Sequence, residues 1–216
     1  MATYLKNDYN IDTLVKIPAL DKMMNYQLYG SKTSPFVRRI RVLLENTPYD
    51  FKEMNIFEGQ DAIDLNKINP INQIPVLVDG NQTIWDSRQI FNYLNSLHRF
   101  QNMDWEDENN LTAIDGAMNA GVTLLMLKRS GININEPYLF INRQRERIHS
   151  VLDFLSPYFQ NQALKEWNFH TISLYCFLDW AIFREIITLE HRPECVAFLE
   201  HYKNKKIIEL TQIPKV

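Results

Sequence analysis

The stretch "YQLYGSKTSPFVRRIRVLLENTPYDFKEMNI", residues 26–56, decides the fold. "YQLYG" reads as a short strand ending at Gly30. In the segment that follows, Phe36, Val37, Ile40, Leu43 and Leu44 recur at helical intervals, which leaves Arg38, Arg39, Arg41 and Glu45 mostly outward. "YDFKEMNI" alternates apolar and polar residues and reads as a second strand. Strand, helix, strand in this order is a βαβ unit, which requires parallel strands and a right-handed crossover.

Working outward, "PVLVDGNQTIWD" holds Asp79-Gly80 between two extended runs, a hairpin signal. "SRQIFNYLNSLHRF" then sets Ile90, Phe91, Leu94 and Leu97 on one helical face. The order is β-α-β, a poorly defined middle, then β-β-α. A mixed four-stranded sheet with packed helices would bury these faces. Residues 99–108, "RFQNMDWEDE", form an acidic break that reads as a linker. Beyond it the periodicity is helical throughout, with candidate helices at about 107–129, 141–160, 170–189 and 193–204. The tail "NKKIIELTQIPKV" has no clear period. The division is therefore 1–24 as an extension of open role, 25–100 as an α+β domain and 105–216 as an all-α domain.

The bulk composition excludes several classes. The chain has 216 residues, 45% hydrophobic and 23% charged, with a net charge of −3. That balance gives no pull towards nucleic acid or an anionic membrane. No apolar run approaches the length of a membrane span. The first 24 residues do not read as a signal peptide, since "LVKIPAL" is short and interrupted by Lys16 and Pro18. Cys176 and Cys195 read as core thiols rather than a disulfide framework, and no Cys/His cluster has metal spacing, so no metal is expected. Free thiols fit a cytoplasmic location. The Arg38, Arg39 and Arg41 run reads as a solvated face or a dimer contact; Asp115, Asn119 and Arg143 can face the cleft between the domains, but read first as surface or bundle polar residues. Tyr175, Trp180 and Phe183 read as core.

Three segments can carry chemistry. In "TSPFVRR", Ser34 precedes Pro35 at a helix start, where unpaired N–H groups stabilise an anion such as a thiolate. Locally, Ser34 reads first as an N-cap. In "NPINQIPVL", Ile74-Pro75 sits just before a strand, either as an ordinary turn or as a cis bond that leaves the Ile74 backbone open to a peptide-like ligand. In "WDSRQIFNYL", Asp86-Ser87 open a helix; they can cap it, or clamp the ammonium and carboxylate of an amino-acid head group.

In this order and spacing, the three segments resemble the glutathione-site segments of the glutathione transferases. "RQRERIHSVLDFLSPYF" and "LYCFLDWAIFRE" are similar to helices of that family's all-α domain, in particular its bacterial cytosolic members. The resemblance spans roughly residues 25 to 214. It implies a thioredoxin-like domain, a helical-bundle domain, a homodimer, and glutathione as co-substrate with no permanent cofactor. It implies that Ser34 meets the glutathione sulfur, that Ile74 beside a cis Pro75 pairs with the cysteinyl backbone, and that Asp86 and Ser87 hold the γ-glutamyl end. Gln73 would lie near the glycyl carboxylate. Serine in place of the cysteine of some members cannot form a mixed disulfide, which favours addition to an apolar electrophile over thiol exchange. Thr33 and Ser31 stand close enough in sequence to share the task. A second departure is "NFHT", where Asn168 can cap but Thr171 replaces the reciprocal carboxylate of a capping box. A non-catalytic binding protein on the same fold is the competing expectation.

Energetically one hydroxyl together with the helix N-terminus can suffice without a basic residue. Lowering a thiol pKa by about two units takes roughly 2.7 kcal/mol of thiolate stabilisation. A hydrogen bond to a charged group supplies about 1.5–3 kcal/mol and a helix N-terminus about 0.3–1 kcal/mol.

Overall fold

The computed structural model describes residues 26–160 and 166–214; the expected extension at 1–24 lies outside them. Strand β1 (Tyr26–Gly30), helix α1 (Pro35–Leu43) and strand β2 (Tyr49–Glu53) form the βαβ unit, and β1 and β2 pair in parallel from Tyr26↔Tyr49 to Gly30↔Glu53. Helix α2 (Gly59–Ile68) fills the middle that periodicity left undefined. Its only fully buried side chain is Leu65, so it carries no apolar stripe to read. Strands β3 (Val76–Asp79) and β4 (Gln82–Trp85) make the hairpin about Gly80, whose φ is +58°. The sheet order is β2-β1-β3-β4, with β3 antiparallel to both neighbours. Helix α3 (Ser87–His98) closes the first unit.

The helical unit holds α4 (Trp105–Arg129), α5 (Leu139–Gln160), α6 (Phe169–Phe183), α7 (Pro193–Tyr202) and a short α8 (Lys206–Leu210) within the tail. Helix α4 begins inside the acidic break. There the Asp104 side chain accepts the Asp107 N–H, and the Asp107 side chain accepts the Asp104 N–H. Helix α6 starts as expected at Asn168, whose Oδ1 accepts the Thr171 N–H at 3.0 Å. The Asn168 N–H, which the missing carboxylate would accept, donates instead to the Glu166 carbonyl at 3.0 Å, and the Thr171 hydroxyl donates to that same carbonyl at 2.6 Å. The expected helix to residue 189 stops at Phe183. Glu185 adopts φ +56° and the Ile186 N–H bonds back to the Ala181 carbonyl, a left-handed cap built without glycine and hence silent in the sequence.

The reading of the α1 arginines is overturned. Arg38, Arg39 and Arg41 do not face solvent: Arg38 and Arg39 are each 1% exposed and Arg41 is buried. Helix α1 lies between the sheet and the helical unit, so it has two covered faces. Val37, Ile40 and Leu44 are buried on one side, with Ile40 and Leu44 packing with Leu28, Leu77 and Phe91. The arginines turn to α4, α6 and α8. Arg38 pairs with Asp179 and donates to the Ile208 carbonyl, and Arg41 donates to the Leu210 carbonyl. Arg39 pairs with Asp115, which also accepts from Arg88 at 3.2 Å. Asp115 is thus an inter-unit anchor rather than a bundle or surface residue, whereas Arg143 is exposed beside Glu146. The apolar core crosses the same boundary: Phe91 of α3 stacks on Phe169 of α6 with ring centroids 4.0 Å apart.

Gly30 sits where β1 meets α1. A β-carbon there would stand 2.5 Å from Val37 Cγ2, so only glycine lets the helix lie this close to the strand end.

Candidate functional site

The α1 N-terminus is built by three hydroxyl residues. Ser34 is the N-cap, with φ −89° and ψ 128°, and its Oγ accepts the Val37 N–H at 3.3 Å. Pro35 follows at the first helical position, where its missing N–H costs nothing. Ser31 Oγ and Thr33 Oγ1 bond each other at 3.0 Å, and the Thr33 N–H donates to Ser31 Oγ. Among the described residues the Ser34 hydroxyl proton has no acceptor, so Ser34 keeps a donor at the positive end of the helix.

These residues line a cavity of about 790 Å³ between the two units. The sheet side contributes Ser31, Thr33, Ser34, Phe36, the β2–α2 connection from Glu53 to Phe57, and the loop from Ile71 to Ile74. The helical side contributes Asn119, Val122, Leu125, Met126 and Arg129 of α4, with Trp180 and Arg184. Trp180, expected in the core, is both 1% exposed and part of this wall. Helix α4 approaches it closely at Gly121, where a β-carbon would lie 3.0 Å from the indole.

The loop before β3 is shaped by Asn69, a fully buried residue that sequence reasoning passed over. Its Nδ2 donates to the Gln73 carbonyl at 2.6 Å and its Oδ1 accepts the Ile71 N–H at 3.1 Å. The Asn-Pro pair at 69–70 was the available signal. The Ile74–Pro75 peptide bond is cis. Among the described residues no turn or loop backbone hydrogen bond engages Ile74.

Comparison with known proteins bears on the same segments. The family model "Glutathione S-transferase, N-terminal domain" matches residues 28–102. The uncharacterized GST-like protein YibF of Escherichia coli (strain K12) is 30% identical over 202 residues, which is 88% of this chain and 99% of that protein. The chain belongs to the glutathione S-transferase family. A zeta-class glutathione S-transferase of Euphorbia esula is 36% identical over 81 residues, covering 37% of this chain and 36% of that one. Among solved structures, a glutathione transferase family member from Pseudomonas fluorescens Pf-5 with bound glutathione superposes with a TM-score of 0.73 at 23% identity, covering 88% of this chain and 100% of that one. A glutathione S-transferase from Methylobacillus flagellatus KT with glutathione bound gives 0.73 at 20% identity, with coverage of 88% and 100%. These two likenesses speak for the fold: a mixed-sheet domain followed by a helical one.

In this member of the family the residues singled out from sequence do not all meet. Ser34, Gln73 and Ile74 line the cavity; Asp86 and Ser87 stand at the α3 N-terminus outside its lining. Asp86 is exposed with φ +68°, and its Oδ1 accepts the N–H groups of Arg88 and Gln89. Ser87 is buried, and its Oγ accepts from Arg39 Nε at 3.1 Å and Nη2 at 2.6 Å. The two cysteines lie away from the cavity. Burial pushes the Cys176 thiol up to about 11 and the Cys195 thiol up to about 12, so neither supplies a thiolate at neutral pH. Among the described residues there is no metal-binding group and no helix long and apolar enough to cross a membrane.

Asn69→Ala removes both loop bonds and strands the Ile71 N–H and the Gln73 carbonyl. The expected cost is about 1–3 kcal/mol, read by denaturant unfolding, with weaker binding in the cavity because Gln73 and Ile74 lose their fixed position.

Proposed function

We propose that this chain is a glutathione transferase, in which Ser34 stabilises the glutathione thiolate for attack on an electrophilic carbon. The observation that carries the reading is the Ser34 hydroxyl proton at the α1 N-terminus, unpaired among the described residues, in a cavity whose far wall includes the apolar Val122, Leu125 and Met126. The sulfur would sit at the helix end. There it receives the hydroxyl hydrogen bond and the helix field together, and the Ser31–Thr33 pair serves to shape the turn. The cavity volume suits a tripeptide and a second small molecule.

The Ile74 backbone would pair with the cysteinyl unit, with Gln73 near the glycyl carboxylate. Asp86 Oδ2, free of the capping bonds that occupy Oδ1, would hold the γ-glutamyl ammonium. Because the Ser87 side chain is buried against Arg39, which donates to its Oγ twice, Ser87 would act through its N–H at the helix start. Val122, Leu125 and Trp180 would receive the electrophile. Exposed Trp105 and Phe154 near the Tyr158–Glu106 bond support a homodimer, and two buried free thiols support a cytoplasmic site of action.

Retention on immobilised glutathione, followed by turnover with a panel of electrophiles, tests the reading. The expected result is retention and conjugate formation. Failure to be retained contradicts glutathione binding; retention without turnover of any electrophile favours a binding protein.

A further inference from the structure

The cavity has a basic end that thiolate stabilisation does not use. Arg129 lies in the last turn of α4 and Arg184 caps the C-terminus of α6, and both line the cavity. We propose that Arg129 and Arg184 form an anion subsite that receives a carboxylate carried by the electrophile, so that the preferred co-substrates are acidic rather than neutral. This rests on the glutathione transferase reading and narrows its substrate class.

Several observations converge on the pair. Among the described residues neither guanidinium has a carboxylate partner. The nearby acids are committed elsewhere: Glu185, next to Arg184 in sequence, pairs with Lys128 at 3.0 Å. Of the two acids lining the cavity, Glu53 pairs with Lys32 at 2.5 Å and Asp61 accepts the Asn55 N–H at 2.8 Å. Arg184 Nε is buried and has no hydrogen-bond partner among the described residues. No protein acceptor therefore fixes that edge of the Arg184 guanidinium in place, and the side chain can turn its N–H edge to a ligand. The guanidinium faces are already taken: Arg129 lies 5.2 Å from the Phe57 ring centroid and Arg184 5.0 Å from that of Phe183. Stacking on a ring leaves the N–H edges free, and those edges are the part that matches a carboxylate.

The two cations also oppose each other. Burial, and then the charge of Arg129, lower the Arg184 pKa. The negative ends of α4 and α6 partly offset this repulsion, which accounts for two arginines sharing a wall without a protein carboxylate. An anionic ligand would offset it further. The apolar side chains of Phe36, Val122 and Leu125 line the same cavity, so a ligand with an apolar body and an acidic end fits its composition.

The carboxylate is a handle and does not react. The thiol proton passes to solvent, the sulfur lone pair forms the new C–S bond, and the carbon–halogen pair of the electrophile leaves as halide. The subsite would orient the electrophile with its reacting carbon towards Ser34.

The test is calorimetric binding of S-(para-carboxybenzyl)glutathione and S-benzylglutathione to the wild type, Arg184→Gln, Arg129→Gln and the double variant. The two conjugates differ only in the carboxylate. The expected result is that the wild type binds the acidic conjugate about tenfold more tightly, and that the double variant brings the ratio close to one. Equal affinities in the wild type, or a ratio that survives in the double variant, overturn the inference. A parallel loss of both affinities with the ratio kept also overturns it, because the arginines would then hold the carboxylates of glutathione itself. If neither conjugate binds the wild type, the glutathione reading fails and the subsite fails with it. Arg129→Gln alters an exposed side chain, so its ratio remains readable if Arg184→Gln misfolds.

Discussion

Asp115→Asn lowers stability by about 3 kcal/mol, and the melting temperature by about 6–12 °C, while keeping side-chain volume. The loss falls mainly on Arg39. That guanidinium is 1% exposed, and its partners are Asp115, Ser87 and Ser173, of which only Asp115 is charged. Removing the carboxylate charge leaves a desolvated cation among neutral hydroxyls. Breaking a buried pair costs about 3–5 kcal/mol, and the low end applies here because the Asp115 side chain is itself 20% exposed. Arg88 loses one of its acceptors as well, but it keeps Glu108. Because α1 and α4 both wall the cavity, the variant should also bind glutathione more weakly. Arg143→Gln, which breaks an exposed pair with Glu146, is the matched control and should shift stability by less than about 0.5 kcal/mol. A melt of Asp115→Asn within two degrees of wild type would show that the Arg39–Asp115 pair is not what holds the two units together, leaving that to the apolar contact and the Arg38 and Arg41 bonds.

Ser34→Ala should lower kcat/KM for conjugation by about 10–150-fold, the equivalent of one hydrogen bond to a charged group at about 1.5–3 kcal/mol. The same change deletes the N-cap, because Ser34 Oγ accepts the Val37 N–H. The stability cost of that is about 0.5–2 kcal/mol. Ser34→Gly separates the two effects. Glycine caps almost as well as serine, so the glycine variant should melt near wild type yet lose as much activity as the alanine variant. Thr33→Val should lose much less activity, since the Thr33 hydroxyl is occupied by Ser31. Activity lost in proportion to stability across the three variants would assign Ser34 a capping role only.

The sheet half was readable because its signals are local. The strand ending at Gly30, the apolar spacing from Phe36 to Leu44 and the Asp79-Gly80 turn each act over a few residues. The Ser34 cap and the Asn168 cap were readable for the same reason. What escaped depends on partners far along the chain. Arg38 meets Asp179 and Arg39 meets Asp115, so a polar-looking face is buried by residues more than seventy positions away. Periodicity registers only apolar burial, and therefore assigned that face to water. Helix α2 escaped because Leu65 alone is fully buried, and the five-residue α8 because it is too short to show a period. The cavity's helical wall, from Asn119 to Arg184, combines side chains of α4 and α6 whose meeting no local pattern encodes.

The most direct test of the account is the thiolate absorbance of bound glutathione, titrated against pH in the wild type and in Ser34→Gly. The hydrogen bond favours the charged form, so the bound thiol should titrate about two units below its ordinary value of about 8.5 in the wild type. In the glycine variant it should rise by about one to two units, with the fold intact. A bound-thiol pKa that is the same in both proteins would contradict the role assigned to Ser34.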